Sequence, residues 1–503
     1  MATTQPVDGD SAGTFLGHPK GLFVLFFAEM WERFSYYGMR ALLIFYLTKH
    51  WLFSDSDAGI IYGAYTALVY ITPVVGGYLA DKYLGQRKAV LFGAVLLTLG
   101  HFFMAFEGDP AAGTENNPIV YVFWLALALI IVGSGFLKAN ISVIVGQLYP
   151  RTDTRRDAAY TIFYMGINLG AAIGSLLCGY IGETYGWAYG FGLAGIGMLA
   201  GLVVFVWGKP LLLGRGEPPK QLAKKTEWSM YGVGIALVGV CWLAIQYQDM
   251  VGYVLGLFGG SLVLYVLFIA VVKLPSEERD RIFAAMFLIL TSIVFWALFE
   301  QAGSSLNLFT DRHVDRGGVP ASTFQSINAI YIILLAPVFA VTWQTLGRKG
   351  LEPSAPLKFG LGIVQVGLGF LVLVWGAQSV GMDAAVPVLF IFLIYLLHTT
   401  GELCLSPVGL SAMNRLAPSH MASLIMGTWF FASATGNFAA GLIASATGAE
   451  GVGEEAGKQV VLDVYSTVGW YAIAIGVGVM VISPLIKKLM HLDTLQDDDV
   501  GDD

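Results

Sequence analysis

The sequence predicts an all-α integral membrane protein, and three observations lead to that fold class. The 503-residue chain is 56% hydrophobic and only 13% charged, whereas a soluble domain carries about 25% charged residues. Apolar runs of about 20 residues, enough for a helix to cross a bilayer, alternate with short polar bridges. No ten-residue blocks alternate between apolar and polar residues, as transmembrane barrel strands do. Helices are therefore predicted, because they satisfy their own backbone hydrogen bonds in lipid.

The apolar runs predict fourteen membrane-spanning helices. Gly and Pro clusters, such as the one at residues 317–320, mark several of their boundaries. The predicted spans are residues 21–48, 57–80, 89–107, 119–148, 158–183, 187–208, 229–248, 251–272, 282–309, 322–346, 357–378, 385–416, 421–446 and 462–488.

The distribution of Lys and Arg predicts the orientation. With the N-terminus inside, cytoplasmic segments hold 21 of the 28 Lys and Arg residues, and the outer loops hold only Lys49, Arg312, Arg316 and Lys458. Cytoplasmic loops carry an excess of these residues, so both termini are predicted to be cytoplasmic.

A basic linker at residues 209–228 follows the sixth span and predicts a division into two bundles. The first bundle is residues 21–208. A matching bundle of six helices is residues 282–488, which leaves 229–272 as an inserted pair of helices without a recognisable motif.

The predicted termini are polar tails. Residues 1–20 form the N-terminal cytoplasmic tail, in which no cleavable signal peptide is predicted. Residues 489–503 form an acidic cytoplasmic tail. The three cysteines lie in apolar segments and imply no disulfide framework.

Charged residues inside the spans predict a polar interior. A charge at mid-bilayer costs about 2.5–3.5 kcal/mol, so seven facing lipid would cost on the order of 20 kcal/mol. They are therefore expected to face one another or a water-filled cavity. The seven are Glu29, Glu32, Arg33, Arg40, Lys138, Glu300 and Glu402.

The first span carries the densest polar stripe. Its residues recur at three- and four-residue steps, which places them on one helical face about 16 Å long. A simple ion pair between Glu29 and Arg33 that ties helices together is the structural alternative. The stripe consists of Glu29, Glu32, Arg33, Tyr36, Tyr37 and Arg40.

Two charge pairs are candidate gates. Lys138 and Glu402 lie at similar depth in opposite predicted bundles, and Arg40 and Glu300 lie nearer the outer ends of their spans. The structural alternative for Lys138 and for Glu402 is an ion pair that only stabilises helix packing.

Four segments resemble known families. GYLADKYLGQRK, at 77–88, resembles the loop signature of the major facilitator superfamily. AEMWERFSYYGMRALL at 28–43, FYMGINLGAAIG at 163–174 and GELCLSPVGLSAMNRLAP at 401–418 resemble signatures of the proton-dependent oligopeptide transporter family (POT/PTR2). Bacterial members also share the two inserted helices, so the resemblance covers nearly the whole chain. It implies a major facilitator superfamily fold of two six-helix bundles plus two inserted helices.

The resemblance implies a proton-coupled symporter that imports di- and tripeptides by alternating access. In such a transporter, Arg33, Lys138 and Tyr36 would meet the peptide carboxylate, and Glu402 with Asn328 would hold the amino terminus. The other positions that match the family's substrate pocket are Tyr37, Tyr70, Asn168, Trp296, Trp429, Phe430 and Ser433.

The resemblance also implies residues for proton coupling and gating. Arg40 with Glu300 matches an outer gate, and Lys138 with Glu402 matches an inner gate. Animal members carry a functional His in the second span, where this chain has Gly63. Proton coupling is therefore expected to depend on carboxylates. The proton-coupling set is the carboxylates of Glu29, Glu32, Glu300 and Glu402 together with Arg33.

Other implications concern partners and location. We expect a multi-pass protein of the cell inner membrane that functions as a monomer. Its partners are peptides, protons and the lipid bilayer, without nucleic acid, cofactor, metal or enzymatic activity.

Two alternatives remain open. A transporter of another small anion such as nitrate would use the same fold, although plant members that do so often have an altered E-x-x-E-R segment. A membrane receptor or sensor would need a soluble output domain, and no loop here is long enough to form one.

Overall fold

The computed structural model describes residues 9–109, 117–150, 153, 155–218, 220, 222–449, 451 and 453–492. The acidic tail predicted at 489–503 falls outside the described residues from position 493 onward. Residues 1–8 of the predicted N-terminal tail also fall outside them, as does Arg151 of the cytoplasmic Lys and Arg count.

Within the described part of the chain, fourteen long helices and one short helix, α10, make up nearly all of the regular structure. The long helices match the predicted number. The helices are α1 (Lys20–Phe45), α2 (Asp55–Leu79), α3 (Gln86–Met104), α4 (Pro118–Gln147), α5 (Arg156–Tyr185), α6 (Trp187–Trp207), α7 (Lys224–Gln246), α8 (Gln248–Lys273), α9 (Ser276–Phe299), α10 (Ser305–His313), α11 (Ser326–Arg348), α12 (Ala355–Val380), α13 (Leu389–Leu416), α14 (Ala422–Ala446) and α15 (Glu454–Leu489).

Short elements complete the chain. Single π-helical turns at Tyr46–His50 and Ala80–Leu84 extend α1 and α2. The two-residue strands are β1 (Thr14–Phe15), β2 (His18–Pro19), β3 (Val314–Asp315) and β4 (Val386–Pro387). β1 and β2 form an antiparallel hairpin directly before α1.

Twelve helical segments among the described residues are long and apolar enough to cross a membrane. The two long helices outside this set are α1 and α14. Five charged residues interrupt α1, and Gly, Ser, Thr and Asn lower the mean hydropathy of α14. Both helices carry predicted site residues.

The chain forms two compact units. The first contains residues up to 251 together with 302–333, and the second contains 252–301 together with the chain from 334 onward. In the first unit, α1 packs against α5 and α6, while α4 packs against α2, α3 and the inserted helix α7. In the second, α12 packs against α13 and α15, and α9 packs against α14. The domain bounds 21–208, 209–228, 229–272 and 282–488 stay predictions.

Glycine pairs allow close helix contacts in the first unit. A Cβ on Gly76 of α2 would lie 2.5 Å from the carbonyl oxygen of Gly135 on α4. A Cβ on Gly133 of α4 would lie 2.7 Å from the carbonyl oxygen of Gly93 on α3. Without a strong hydrophobic drive between helices in lipid, close backbone packing at small residues holds such helices together.

The span predicted at 282–309 lies within one segment, Ser276–His313, that is long and apolar enough to cross a membrane, but this segment is not a single regular α-helix. α9 ends at Phe299, a 3-10 turn covers Glu300–Gly303, and α10 begins at Ser305. The backbone of Ser304 (φ −124°, ψ −100°) lies outside the helical region and separates the two helices. Glu300 therefore lies in a turn.

The prediction that Lys458 lies in an outer loop is wrong. α15 begins at Glu454, and Lys458 is a buried residue of that helix, 2% exposed. Its ammonium donates hydrogen bonds to the carbonyl oxygens of Gly381, Met382 and Ala384. These three acceptors replace water around the charge, which is why a Lys is tolerated there.

Candidate functional site

The E-x-x-E-R segment forms a buried charge cluster on α1. Arg33 Nε donates a hydrogen bond to Glu29 Oε1 at 2.7 Å and lies 3.2 Å from Glu32 Oε2. Glu29 is 1% exposed and Glu32 is 0% exposed. Among the described residues, Glu29 Oε2 and both oxygens of Glu32 have no hydrogen-bond partner. One guanidinium therefore balances two carboxylates, so the cluster holds one negative charge in excess when both are ionised.

Lys138 of α4 supplies a second cation near this cluster. Its ammonium lies 3.6 Å from the centroid of the Tyr36 ring, which is 2% exposed. Lys138 also interacts electrostatically with Glu29 and Glu32. A desolvated cation over an aromatic face is a favourable arrangement. The structure thus brings together Arg33, Tyr36 and Lys138, the three residues predicted to meet a peptide carboxylate.

Arg40 lies two turns after Arg33 on α1 and contacts aromatic side chains. Its Nε donates a hydrogen bond to the Tyr62 hydroxyl of α2 at 2.6 Å. Its guanidinium carbon lies 5.8 Å from the ring centroids of both Tyr37 and Tyr62. A Cβ on Gly303 would collide with the Tyr62 hydroxyl, so a larger residue at this position would displace the Tyr62 ring. Tyr62 was not predicted, because no sequence spacing links a tyrosine on one helix to an arginine on another.

The remaining predicted residues of the first unit lie on four helices. Tyr37 packs against the buried residues Ala171, Ala172 and Ala329. Asn168 is buried on α5, and its amide donates to the Tyr164 carbonyl of the same helix at 3.1 Å. Tyr70 on α2 and Asn328 on α11 are half-buried.

The predicted carboxylates of the second unit lie on separate elements. Glu300 is 4% exposed, in the turn after α9, and Glu402 is half-buried on α13. Next to Glu300, Gln301 donates to the carbonyl oxygens of Ala297 and Ala440, each at 2.9 Å. These bonds anchor the turn to α14 and thereby position Glu300.

Aromatic residues of α9 and α14 complete the predicted set. Trp296 is half-buried, and its indole nitrogen has no acceptor among the described residues. Trp429 is buried and packs where Gly409 leaves space, whereas Phe430 is 37% exposed. The Ser433 hydroxyl donates to the Trp429 carbonyl at 3.2 Å, within α14.

Each candidate gate pair consists of one residue from the first unit and one from the second. Arg40 and Lys138 belong to the first unit, and Glu300 and Glu402 to the second. Both pairings stay predictions.

A set of polar contacts in the first unit attaches the segment 302–333 to α1, α2 and α5. Lys49 and Asp311 form an ion pair at 2.7 Å, and Arg312 forms another with Asp55. Asn307 donates to the Ala41 carbonyl at 3.1 Å. The predicted spans showed which loops carried these charges but not which loops would meet.

The superfamily-like loop contacts the basic linker. Gly85, at φ +74°, has no room for a Cβ against residues 216–218, and the Arg87 amide donates to the Gly216 carbonyl at 2.8 Å. Arg87 also forms an ion pair with Glu217. Burial raises the pKa of Glu217, but the hydrogen bond and charge of Arg87 outweigh it, so the pKa is lowered overall. The loop therefore holds the linker, and within the loop Asp81 accepts from Gln86 at 2.8 Å.

Metal chemistry receives no support from the described part of the chain. No group of three or more His, Cys, Asp or Glu side chains in it is placed to hold a metal ion.

Comparisons with known proteins show what this chain is similar to. The family model described as the POT family matches residues 87–456. The "Peptide transporter YePEPT" of Yersinia enterocolitica is 39% identical over 459 residues, covering 86% of this chain and 88% of that protein. The "Uncharacterized transporter YclF" of Bacillus subtilis is 36% identical over 496 residues, covering 95% and 96%.

Solved structures are similar along almost the whole chain. A crystal structure of the peptide transporter POT in complex with sulfate has a TM-score of 0.82 and 36% identity, covering 96% of this chain and 98% of that one. A mutant of that transporter in complex with alafosfalin has the same TM-score and identity, covering 96% and 100%. The predicted fold class is thereby confirmed.

Proposed function

Because the chain belongs to the POT family, we propose that it imports di- and tripeptides together with protons. The buried cluster of Glu29, Glu32 and Arg33, with Lys138 over the Tyr36 ring, carries the proposal. It combines cations for a substrate carboxylate with carboxylates for protons. The peptide transporters named among its relatives support the same substrate class.

The proposed recognition uses the two ends of the peptide. A dipeptide at neutral pH carries a carboxylate at one end and an ammonium at the other. Arg33 and Lys138 would attract the carboxylate, and Glu402 with Asn328 the ammonium. Such a site recognises the two charged ends of the peptide backbone and tolerates many side chains, while the separation of its charges limits peptide length.

Proton coupling is proposed to act through the α1 carboxylates. Protonation of Glu32 or Glu29 removes a negative charge from the cluster and weakens its hold on Arg33. Arg33 then becomes available to a peptide carboxylate. A proton that enters across 100 mV contributes about 2.3 kcal/mol, which supports nearly fifty-fold accumulation at about 1.4 kcal/mol per tenfold.

Alternating access is the proposed transport cycle. Arg40 with Glu300 would close the outer side, and Lys138 with Glu402 the inner side. Protonation of either carboxylate would break its ion pair and allow that side to open.

Uptake in proteoliposomes tests the proposal. Purified protein should accumulate a labelled dipeptide when an inward proton gradient is applied and should accumulate no labelled nitrate. Lys138→Ala and Glu402→Gln should each abolish dipeptide uptake, since each removes one charge that is proposed to bind an end of the peptide. Full uptake in either variant contradicts the site, and proton-driven nitrate uptake contradicts the substrate.

A further inference from the structure

A cavity of about 470 Å³ lies within the second unit, apart from every residue proposed to bind peptide. It is bounded by the last turns of α13 and α15, the first turn of α12 and the loop before α12. Pro, Ala, Val, Met and Leu side chains form much of its wall. Its polar side chains are Ser354, Ser411, Glu352, Lys358, Arg415 and Lys487.

The charges of this cavity are not balanced within the described structure. Lys358 is 5% exposed, forms an ion pair with Glu352, and lies 4.3 Å from the centroid of the Trp343 ring. That pair is neutral. Arg415 and Lys487 have neither an ion pair nor a side-chain hydrogen bond among the described residues, and both line the same space. The cavity wall therefore carries two positive charges without counter-ions.

We propose that this cavity binds the phosphate-bearing headgroup of an anionic phospholipid. Arg415 offers a planar fork of donors that matches phosphate oxygens, and Lys487 adds a point charge. The first turn of α12 opens on the cavity, and the Ser354 side chain makes no hydrogen bond to its amide groups. Pro356 has no amide hydrogen, so the uncapped amide of Ala355 is what this helix N-terminus adds to the two cations in favour of an anion.

The position and the apolar wall point to a lipid and away from free phosphate. The ends of membrane-spanning helices lie at the headgroup level, and basic pockets between such helices bind anionic headgroups. A hydrated phosphate ion gains nothing from the Pro407, Val408, Met490 and Leu492 side chains, whereas glycerol and the start of an acyl chain bury apolar surface against them.

Native mass spectrometry of the purified full-length chain tests the proposal. Phosphatidylglycerol should bind on the order of tenfold more tightly than phosphatidylcholine, because only the former carries a net charge. The double variant Arg415→Gln/Lys487→Gln should lose that preference. The matched control Arg348→Gln/Lys488→Gln removes two exposed cations, at the ends of α11 and α15, that do not line the cavity, and it should keep the preference. If the double variant fails to fold, Lys487→Gln alone, at an exposed position, should weaken phosphatidylglycerol binding without affecting phosphatidylcholine.

Four outcomes overturn the proposal. Equal binding of the two lipids would show that the cavity has no preference for an anionic headgroup. An equal loss of that preference in the control variant would show that surface cations in general attract the lipid. Complete displacement of phosphatidylglycerol by millimolar inorganic phosphate makes a free anion the ligand. The fourth concerns residues 493–503, which contain six Asp. If phosphatidylglycerol bound only to a chain shortened to end at Leu492, the acidic segment would be the anion that occupies the cavity in the full-length chain.

Discussion

Glu32 is a fully buried carboxylate on α1 that makes few polar contacts. Its side chain is 0% exposed, neither of its oxygens accepts a hydrogen bond among the described residues, and Arg33 lies 3.2 Å away. Glu29, in contrast, accepts a well-formed hydrogen bond from Arg33 at 2.7 Å. Of the two carboxylates, Glu32 therefore makes the fewer polar contacts within the described part of the chain.

Glu32→Gln should separate peptide exchange from proton-driven uptake. The amide keeps the size of the side chain but cannot take up or release a proton. Counterflow of dipeptide between two loaded compartments should therefore stay within about twofold of the original chain. Uphill uptake driven by a proton gradient should fall by at least tenfold, or about 1.4 kcal/mol.

The matched control for this variant is Glu227→Gln. Glu227 forms an ion pair with Lys88 at 2.7 Å on the inserted helix α7, away from α1. Uptake should be unchanged in it. Uphill uptake that persists in Glu32→Gln would assign Glu32 a structural role.

At the scale of helices, neighbouring glycines of α2 have different surroundings. A Cβ on Gly76 would lie 2.5–2.9 Å from backbone atoms of Gly135 and Phe136, which cannot move without shifting α4. A Cβ on Gly77 would meet only the Ala139 Cβ, at 3.7 Å. Contact of α2 with α4 thus depends on one of the two glycines.

Gly76→Ala should destabilise the protein by about 1–3 kcal/mol, the usual effect of overpacking. Gly77→Ala should change stability by less than about 0.5 kcal/mol. Thermal unfolding in detergent, followed by tryptophan fluorescence, measures both. Equal melting temperatures for the two variants would contradict the close packing of α2 and α4.

The linker after α6 is held by the loop between α2 and α3 through a carboxylate that stays ionised. The pKa of Glu217 is lowered in the folded chain, mainly because the Arg87 contact outweighs the effect of burial. A lowered pKa means that the contact contributes fully above the ordinary value of about 4.5 and is lost as the pH falls through the folded pKa. The linker contact is therefore expected to persist at neutral and mildly acidic pH.

Hydrogen exchange at the Arg87 amide tests this contact. That amide donates to the Gly216 carbonyl at 2.8 Å. At pH 7, Glu217→Gln should increase its exchange rate several-fold, because the charged contact that holds the linker against it is removed. Glu227→Gln should leave the rate unchanged. No difference between the variants would show that backbone packing alone holds the linker.

At the scale of the whole molecule, the orientation in the membrane is a prediction from Lys and Arg counts. The native cysteines, Cys178, Cys241 and Cys404, are buried and free, so they give little background in labelling experiments. In intact cells, Val319→Cys should react with a membrane-impermeant maleimide, because its loop is predicted to be outside. Lys349→Cys should react only after permeabilisation. Both positions are exposed, and the reverse pattern would place both termini outside.

The sequence predicted more of the fold class than of the contacts that the site residues make. The apolar runs located fourteen helices, since crossing lipid requires a minimum apolar length. The same rule singled out α1, because charged residues such as Glu29 and Arg33 are unexpected in a membrane-spanning helix. It did not predict the break after Phe299 or the helical position of Lys458, because both depend on contacts made by the folded backbone.

The sequence by itself determined that the chain spans a membrane and that Glu300 and residues now seen on α1, α4 and α13 carry charges that lipid cannot accept. Only the tertiary structure decided the partners. It placed Lys138 over the Tyr36 ring and paired Arg40 with the Tyr62 hydroxyl. It also left Arg415 and Lys487 together in one cavity. Apolar length and charge are local properties that a sequence displays directly. A partner on another helix is set by packing between segments far apart in the chain, and no spacing along the sequence records it.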